Sequence, residues 1–196
     1  MLLAGCGGET SLPSLSGIKG TDITNAKDFG RDGIAGGRRL ALNDHNGRSV
    51  TLDTFKGKLV VLFFGYTHCP DVCPTTLSDM AEALKLLRPE EAAKVQILFV
   101  TVDPKRDTPE ILQAYVPYFH PGFLGLHGST EQVEQVAKEF KIVYRKQVEA
   151  GASDYLIDHS AGSYVLDRQS RLRLYLPYAT SPVDIANDLQ VLLKAA

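Results

Sequence analysis

From residue 58 the chain runs Lys-Leu-Val-Val-Leu-Phe-Phe with no alternation of polar and apolar positions. A continuous apolar, β-branched run of that length predicts a strand buried on both faces. Residues 95–102, Val-Gln-Ile-Leu-Phe-Val-Thr-Val, predict a second. Between the two runs, Leu77, Met80, Leu84 and Leu87 recur at helical spacing and predict an amphipathic helix over residues 74–88. Thr108, Pro109 and Glu110 open another helix, because proline is tolerated in a first turn whose N–H groups have no intrahelical partner. Val133, Val136, Ala137 and Phe140 mark a third, and Ile185, Leu189 and Leu192 a last one. Residues 40–44 and 49–52 flank Asn46 and Gly47, a pair suited to the positive φ of a tight turn, and predict an N-terminal hairpin. Residues 164–167 and 172–175 flank a polar turn at 168–171 and predict a second hairpin. Buried strands alternating with helices, then a terminal hairpin, give an α/β class: a central mixed β-sheet flanked by helices. The final helix follows, and neither an internal repeat nor a second core is visible.

Residues 7–37 break this pattern. They are rich in Gly, Ser, Thr, Asp and Asn with little apolar periodicity, which predicts a flexible tether over residues 1–37 feeding a domain over 38–196. At its head, Leu3, Ala4, Gly5 and Cys6 resemble the lipobox of bacterial lipoproteins. That resemblance implies acylation of the Cys6 thiol and a lipid anchor that tethers the protein to a membrane rather than spanning it. Only five residues precede Cys6, fewer than the charged and apolar regions of a full signal need. The competing reading is a cysteine in a terminal tail.

Composition narrows the class further. With 196 residues, 44% hydrophobic and 22% charged, the chain has the make-up of one folded domain with an appendage. A net charge of −2 without a long Lys/Arg run offers no electrostatic footprint for nucleic acid, so no such partner is expected. The longest strongly apolar stretch, residues 59–64, falls far short of the ~20 residues that a membrane span needs. Three cysteines are too few for a disulfide-dense scaffold, which turns attention to what each could do chemically.

Cys69 and Cys73 sit where the first buried strand passes into the first helix. In α/β folds ligand sites gather at the carboxyl ends of such strands. Four residues apart, the two side chains share a face once the helix begins, and the positive end of a helix stabilises thiolate. Two adjacent thiols there can form a Cys69–Cys73 disulfide, attack another disulfide, or hold a soft metal ion. The bland alternative is a pair of small buried residues, a common fate for a single cysteine but a less common one for a pair at this junction.

Residues 64–74, Phe-Gly-Tyr-Thr-His-Cys-Pro-Asp-Val-Cys-Pro, resemble the metal motif of the Sco/SenC family. Residues 102–109, Val-Asp-Pro-Lys-Arg-Asp-Thr-Pro, and residues 155–162, Tyr-Leu-Ile-Asp-His-Ser-Ala-Gly, extend the resemblance, and residues 20–24 look like the family's lead-in. It implies a thioredoxin-like fold and a copper site made by Cys69, Cys73 and His159, with His159 on the loop before the terminal hairpin. Thiolates and imidazole suit Cu(I), and Cu(II) could be accommodated with an added oxygen or nitrogen donor. Zinc competes, but a structural zinc site normally takes four protein ligands. His45, His68, His120 and His127 are read as structural or surface residues. Asp103 and Asp158 could orient ligands or cap turns, and neither is assigned to the site.

Two function classes share these residues. A metallochaperone would pass copper by ligand exchange to the binuclear copper centre of cytochrome c oxidase subunit II. A thiol–disulfide oxidoreductase would use Cys69 and Cys73 as its catalytic pair to reduce the cysteines of that same centre. The Cys-Xaa-Xaa-Xaa-Cys spacing departs from the two-residue spacer of general thioredoxins, and that spacing together with His159 favours metal binding. A peroxiredoxin-like peroxidase ranks last, because the residues ahead of Cys69 lack that family's pattern. The resemblance places the chain in the bacterial cell envelope, facing the periplasm, with a second copper chaperone or a thiol reductant as further partners. In that oxidising setting the cysteine pair tends toward the disulfide, so copper loading should require reduction.

Overall fold

The computed structural model describes residues 15–24, 40–148 and 155–195. The expected lipidation site Cys6 and most of the expected tether lie outside the described residues. Among the described residues, an eight-stranded mixed sheet runs in the order β1 (Thr21–Asp22), β10 (Leu172–Leu176), β9 (Ser163–Leu166), β4 (Leu59–Gly65), β5 (Val95–Thr101), β6 (Leu124–His127), β2 (Leu42–Asp44) and β3 (Ser49–Val50). Its centre is β4 (Leu59–Gly65) and β5 (Val95–Thr101), paired in parallel and buried along their whole length. On one side β6 (Leu124–His127) continues the parallel arrangement. On the other, β9 (Ser163–Leu166) and β10 (Leu172–Leu176) add antiparallel strands. The expected N-terminal hairpin is β2 (Leu42–Asp44) and β3 (Ser49–Val50), turned at Gly47 with φ of 79° and docked on β6.

Strand alternation divides the core. Val60, Leu62 and Phe64 face a cluster with Val133, Val136 and Ala137 of α4 (Thr130–Glu139) and Phe140 just after it. Leu59, Val61 and Phe63 face the opposite cluster, with Leu77 and Met80 of α1 (Val72–Leu86), Leu112 and Val116 of α3 (Pro109–Phe119), and Ile185 and Leu189 of α5 (Pro182–Lys194). The helix starts follow local chemistry: the Thr108, Ser129 and Ser181 hydroxyls accept the N–H groups of Ile111, Gln132 and Asp184. This is the α/β architecture that the strand and helix pattern predicts and the thioredoxin-like fold that the resemblance implies.

Several elements differ from the sequence reading. The first helix begins at Val72, two residues earlier than predicted, with Cys73 in its first turn. Cys69 stays in the preceding turn, where its N–H donates to the Tyr66 carbonyl at 3.2 Å. The cysteines are therefore neighbours through a turn and a helix start, not through one helix face. His159 is not on a loop; it ends β8 (Leu156–His159), which pairs with β7 (Tyr144–Gln147) as a separate two-stranded sheet. Within the expected tether, β1 (Thr21–Asp22) pairs with β10. Just before it, the Lys19 and Gly20 N–H groups donate to the buried Asp188 carboxylate, each at 2.7 Å. A one-turn α2 (Pro89–Ala92), started by Pro89, was also absent from the pattern.

Candidate metal centre

Three separated pieces of chain meet at the carboxyl end of β4. The turn after β4 carries Cys69, the first turn of α1 carries Cys73, and the end of β8 carries His159. One donor atom from each lies within 4.8 Å of the others. Cys73 Sγ and His159 Nε2 are 3.5 Å apart. Both thiols are free; Cys73 is fully buried and Cys69 partly exposed.

The packing behind Cys73 explains a glycine. A Cβ at Gly65 would lie 2.7 Å from Cys73 Sγ and 2.8 Å from Phe99 Cε2. Residue 65 ends the central strand directly behind the thiol, so any side chain there would push sulfur and ring apart.

The imidazole is oriented by its own backbone. His159 Nδ1 is 3.0 Å from the Ser160 carbonyl oxygen. That oxygen can only accept, so Nδ1 carries the proton and Nε2 presents its lone pair toward the sulfurs. The ring stands edge-on to Tyr66, with centroids 6.0 Å apart and planes at 86°, and packs against Phe63 at 6.2 Å. Apolar walls of this kind exclude water from one side of the donor set.

The two thiols are unequal. Hydrogen bonding from Cys73 lowers the Cys69 thiol to about 5, helped by the backbone N–H groups of Cys73 and Asp71, against the opposing effect of burial. Cys73 is pushed far upward by that same hydrogen bond, by burial and by the charge on Cys69. The pair therefore holds its first negative charge on the accessible sulfur and shares one proton between the two.

The remaining candidates separate cleanly. His68 is exposed and within 3.1 Å of the Thr67 hydroxyl. His45 is buried and its Nδ1 accepts the Gly125 N–H at 3.0 Å, which pins the N-terminal hairpin to β6. His120 Nδ1 accepts the Gly122 N–H, and His127 ends β6. Asp158 accepts from Gln147, across the β7–β8 pair. Asp103 accepts from Arg106 and, at 2.8 Å, from the Tyr155 hydroxyl next to β8.

Sequence reasoning passed over three residues that shape the site. Asp107 accepts the Thr67 N–H at 3.1 Å, the Thr67 hydroxyl at 2.6 Å and the Thr101 hydroxyl at 2.6 Å, fixing the turn that carries Cys69. Gly65 makes room for sulfur, and its position at the end of a buried apolar run was the available signal. Tyr66 joins the turn to β8, a long-range tie that no local pattern announces.

The profile of the SCO1/SenC family matches residues 31–194. A SCO2-like protein of Rickettsia felis is 37% identical over 162 residues, which cover 81% of this chain and 78% of the relative. Among solved structures, copper-bound ScoI of Bradyrhizobium japonicum is 38% identical with a TM-score of 0.73, covering 81% of this chain and 99% of that one. Apo Sco1 of Thermus thermophilus is 42% identical with a TM-score of 0.71, covering 80% and 95% respectively.

Proposed function

The chain belongs to the SCO1/SenC family, and from that premise we propose that it binds one copper ion through Cys69, Cys73 and His159 and delivers it during cytochrome c oxidase assembly. The acceptor in this reading is the binuclear copper centre of subunit II. The observation that carries it is the convergence of two thiols and one imidazole within 4.8 Å at the end of the central strand. Two sulfurs and one nitrogen form a low-coordinate set that suits the soft Cu(I) ion, while a structural zinc site would want a fourth protein ligand. Copper-bound relatives such as the Bradyrhizobium protein support the assignment. Cu(II) fits the same residues once an oxygen or nitrogen donor is added.

Transfer follows from the asymmetry of the site. Copper binding displaces the proton held between the thiols, so uptake releases protons. Cys73 is buried while Cys69 and His159 are half-buried, so an incoming acceptor thiolate meets Cys69 before Cys73, which keeps the ion until exchange is complete. The folded domain, with β1 in its sheet, carries this site, and the start of the chain, acylated at Cys6, tethers it in the bacterial cell envelope facing the periplasm. A copper donor and a thiol reductant complete the partners.

One observation favours a second activity on the same residues, the lowered Cys69 thiol. As a thiolate, Cys69 attacks a target disulfide and releases one target thiolate; Cys73 then attacks the mixed disulfide and releases the other. Two electrons pass to the target and the Cys69–Cys73 disulfide remains.

Anaerobic titration of the reduced protein with Cu(I) against a competing chelator tests the copper reading. One tightly held ion per chain is expected, abolished by Cys69→Ser or Cys73→Ser, weakened by His159→Ala, and absent from the oxidised protein. Tight binding that survives either cysteine substitution, or prior oxidation, overturns it.

A further inference from the structure

We propose that Tyr66 is a positioning residue for His159, acting through β8; its copper readout rests on the metal reading above, its exchange readout does not. Tyr66 directly follows β4 and is 2% exposed. Three parts of this one residue touch three parts of the site. Its carbonyl accepts the Cys69 N–H at 3.2 Å. Its hydroxyl accepts the Ile157 N–H at 3.1 Å. Its ring meets the His159 ring edge-on.

The geometry makes the middle contact decisive. Among the described residues, β7 and β8 form their own two-stranded sheet and share no ladder with the main one. An isolated pair of strands is marginal by itself, so its placement depends on ties to the body of the domain. Ile157 lies two residues before His159 on β8, and its side chain is buried in the same core cluster as Tyr66. A hydrogen bond at Ile157 therefore fixes the depth and direction of the strand just before it delivers the imidazole to Cys73. A second tie, Tyr155 to Asp103, holds the start of β8 but lies farther from the histidine.

Tyr66→Phe isolates this role, because it keeps the buried ring and removes only the acceptor of the Ile157 N–H. The experiment measures backbone amide exchange in the copper-free reduced protein and Cu(I) affinity by chelator competition. Both are read for the unsubstituted chain, Tyr66→Phe, His159→Ala and the double variant. Exchange is expected to accelerate at residues 156–159 while β4 and β5 keep their protection, which also reports that the fold is intact. Cu(I) affinity should fall about tenfold, the range seen when groups that orient a metal ligand are removed. In the His159→Ala background the same substitution should cost nothing further, since Tyr66 acts through that imidazole. Unaltered exchange at Ile157, unaltered affinity, or an equal loss in both backgrounds overturns the proposal. If the unsubstituted protein takes up no tight Cu(I), the copper reading fails, and exchange at residues 156–159 alone decides whether Tyr66 positions the strand.

Discussion

Gly65→Ala adds one methyl group at the tightest point of the site. The new Cβ would sit 2.7 Å from Cys73 Sγ, 2.8 Å from Phe99 Cε2 and 3.3 Å from Phe63 Cε1. Comfortable non-bonded separations are ~3.5–4.0 Å, so sulfur and ring must each give way by about 1 Å. Neither has free space, since Cys73 and Phe99 are both wholly buried. Residue 65 does not have a positive φ, so alanine brings no backbone strain and the contact alone sets the outcome. Overpacking of this kind costs about 1–3 kcal/mol. For a domain of this size that is a fall in melting temperature of roughly 2–12 °C. The same displacement moves Cys73 Sγ relative to His159 Nε2, now 3.5 Å away, and should weaken Cu(I) binding. Thermal unfolding of the reduced apoprotein and chelator-competed Cu(I) titration read the two effects separately. An unchanged melting temperature refutes the steric argument. A lowered one with unchanged copper affinity refutes the link between this glycine and the metal centre.

Three further expectations concern the thiols and the N-terminal segment. Thiolate absorbance should rise in a single step near pH 5, assigned to Cys69 by its loss in Cys69→Ser, with no second step from Cys73 up to pH ~9, near the ordinary thiol value. Because the folded value lies below the unfolded one, the stability that Cys69 contributes is present above pH ~9 and lost as pH falls through about 5; urea unfolding of the reduced protein beside Cys69→Ser should show that slope, and parallel curves would sink it. Asp188→Ala removes the carboxylate that accepts both the Lys19 and Gly20 N–H groups, at about 3–6 kcal/mol for two charge-assisted bonds. Limited proteolysis should then cut within residues 15–24, and full protection there would show that β1 pairing suffices without the aspartate.

How much of this the sequence declared depends on range. The central strands were legible because every residue of β4 and β5 is buried, so β4 carries no polar side chain and β5 only Gln96 and Thr101. Helices α1, α4 and α5 were legible from their apolar stripes and α3 from its Thr-Pro-Glu start, while the single turn of α2 is too short to show a period. β6 was missed because Gly125 and the short Leu-Gly-Leu-His run look like loop. β7 was missed because Tyr144 to Gln147 is largely exposed and carries no apolar face. β1 is two residues long and exists through its pairing with β10, some 150 residues away. The same distinction governs the site. Cys69 and Cys73 stand out because they are close in sequence at a strand-to-helix junction, whereas the approach of His159 across 86 residues follows from no local pattern and came from the family resemblance. Gly65, Tyr66 and Asp107 matter through contacts with distant chain, and composition records none of that.

The inequality of the two thiols bears on which reaction the site favours. A dithiol reductant needs its buried cysteine to ionise, because the mixed disulfide is resolved by a second thiolate. Here Cys73 is held strongly protonated while Cys69 bears the charge beside it. That arrangement favours the first attack; in the mixed disulfide the charge on Cys69 is gone, and burial is what still opposes ionisation of the resolving Cys73. A cation between the sulfurs reverses the balance: it stabilises both thiolates at once and takes the place of the shared proton. Burial of Cys73 opposes its ionisation only while no positive charge is close. On the proposed reading, then, the features that hinder disulfide exchange are those that a bound Cu(I) relieves. Proton release on copper binding measures this directly. Near pH 7, where Cys69 is already ionised and Cys73 is not, about one proton should leave per Cu(I) bound. Release of two would mean that Cys69 is an ordinary thiol, and release of none would take Cys73 out of the ligand set.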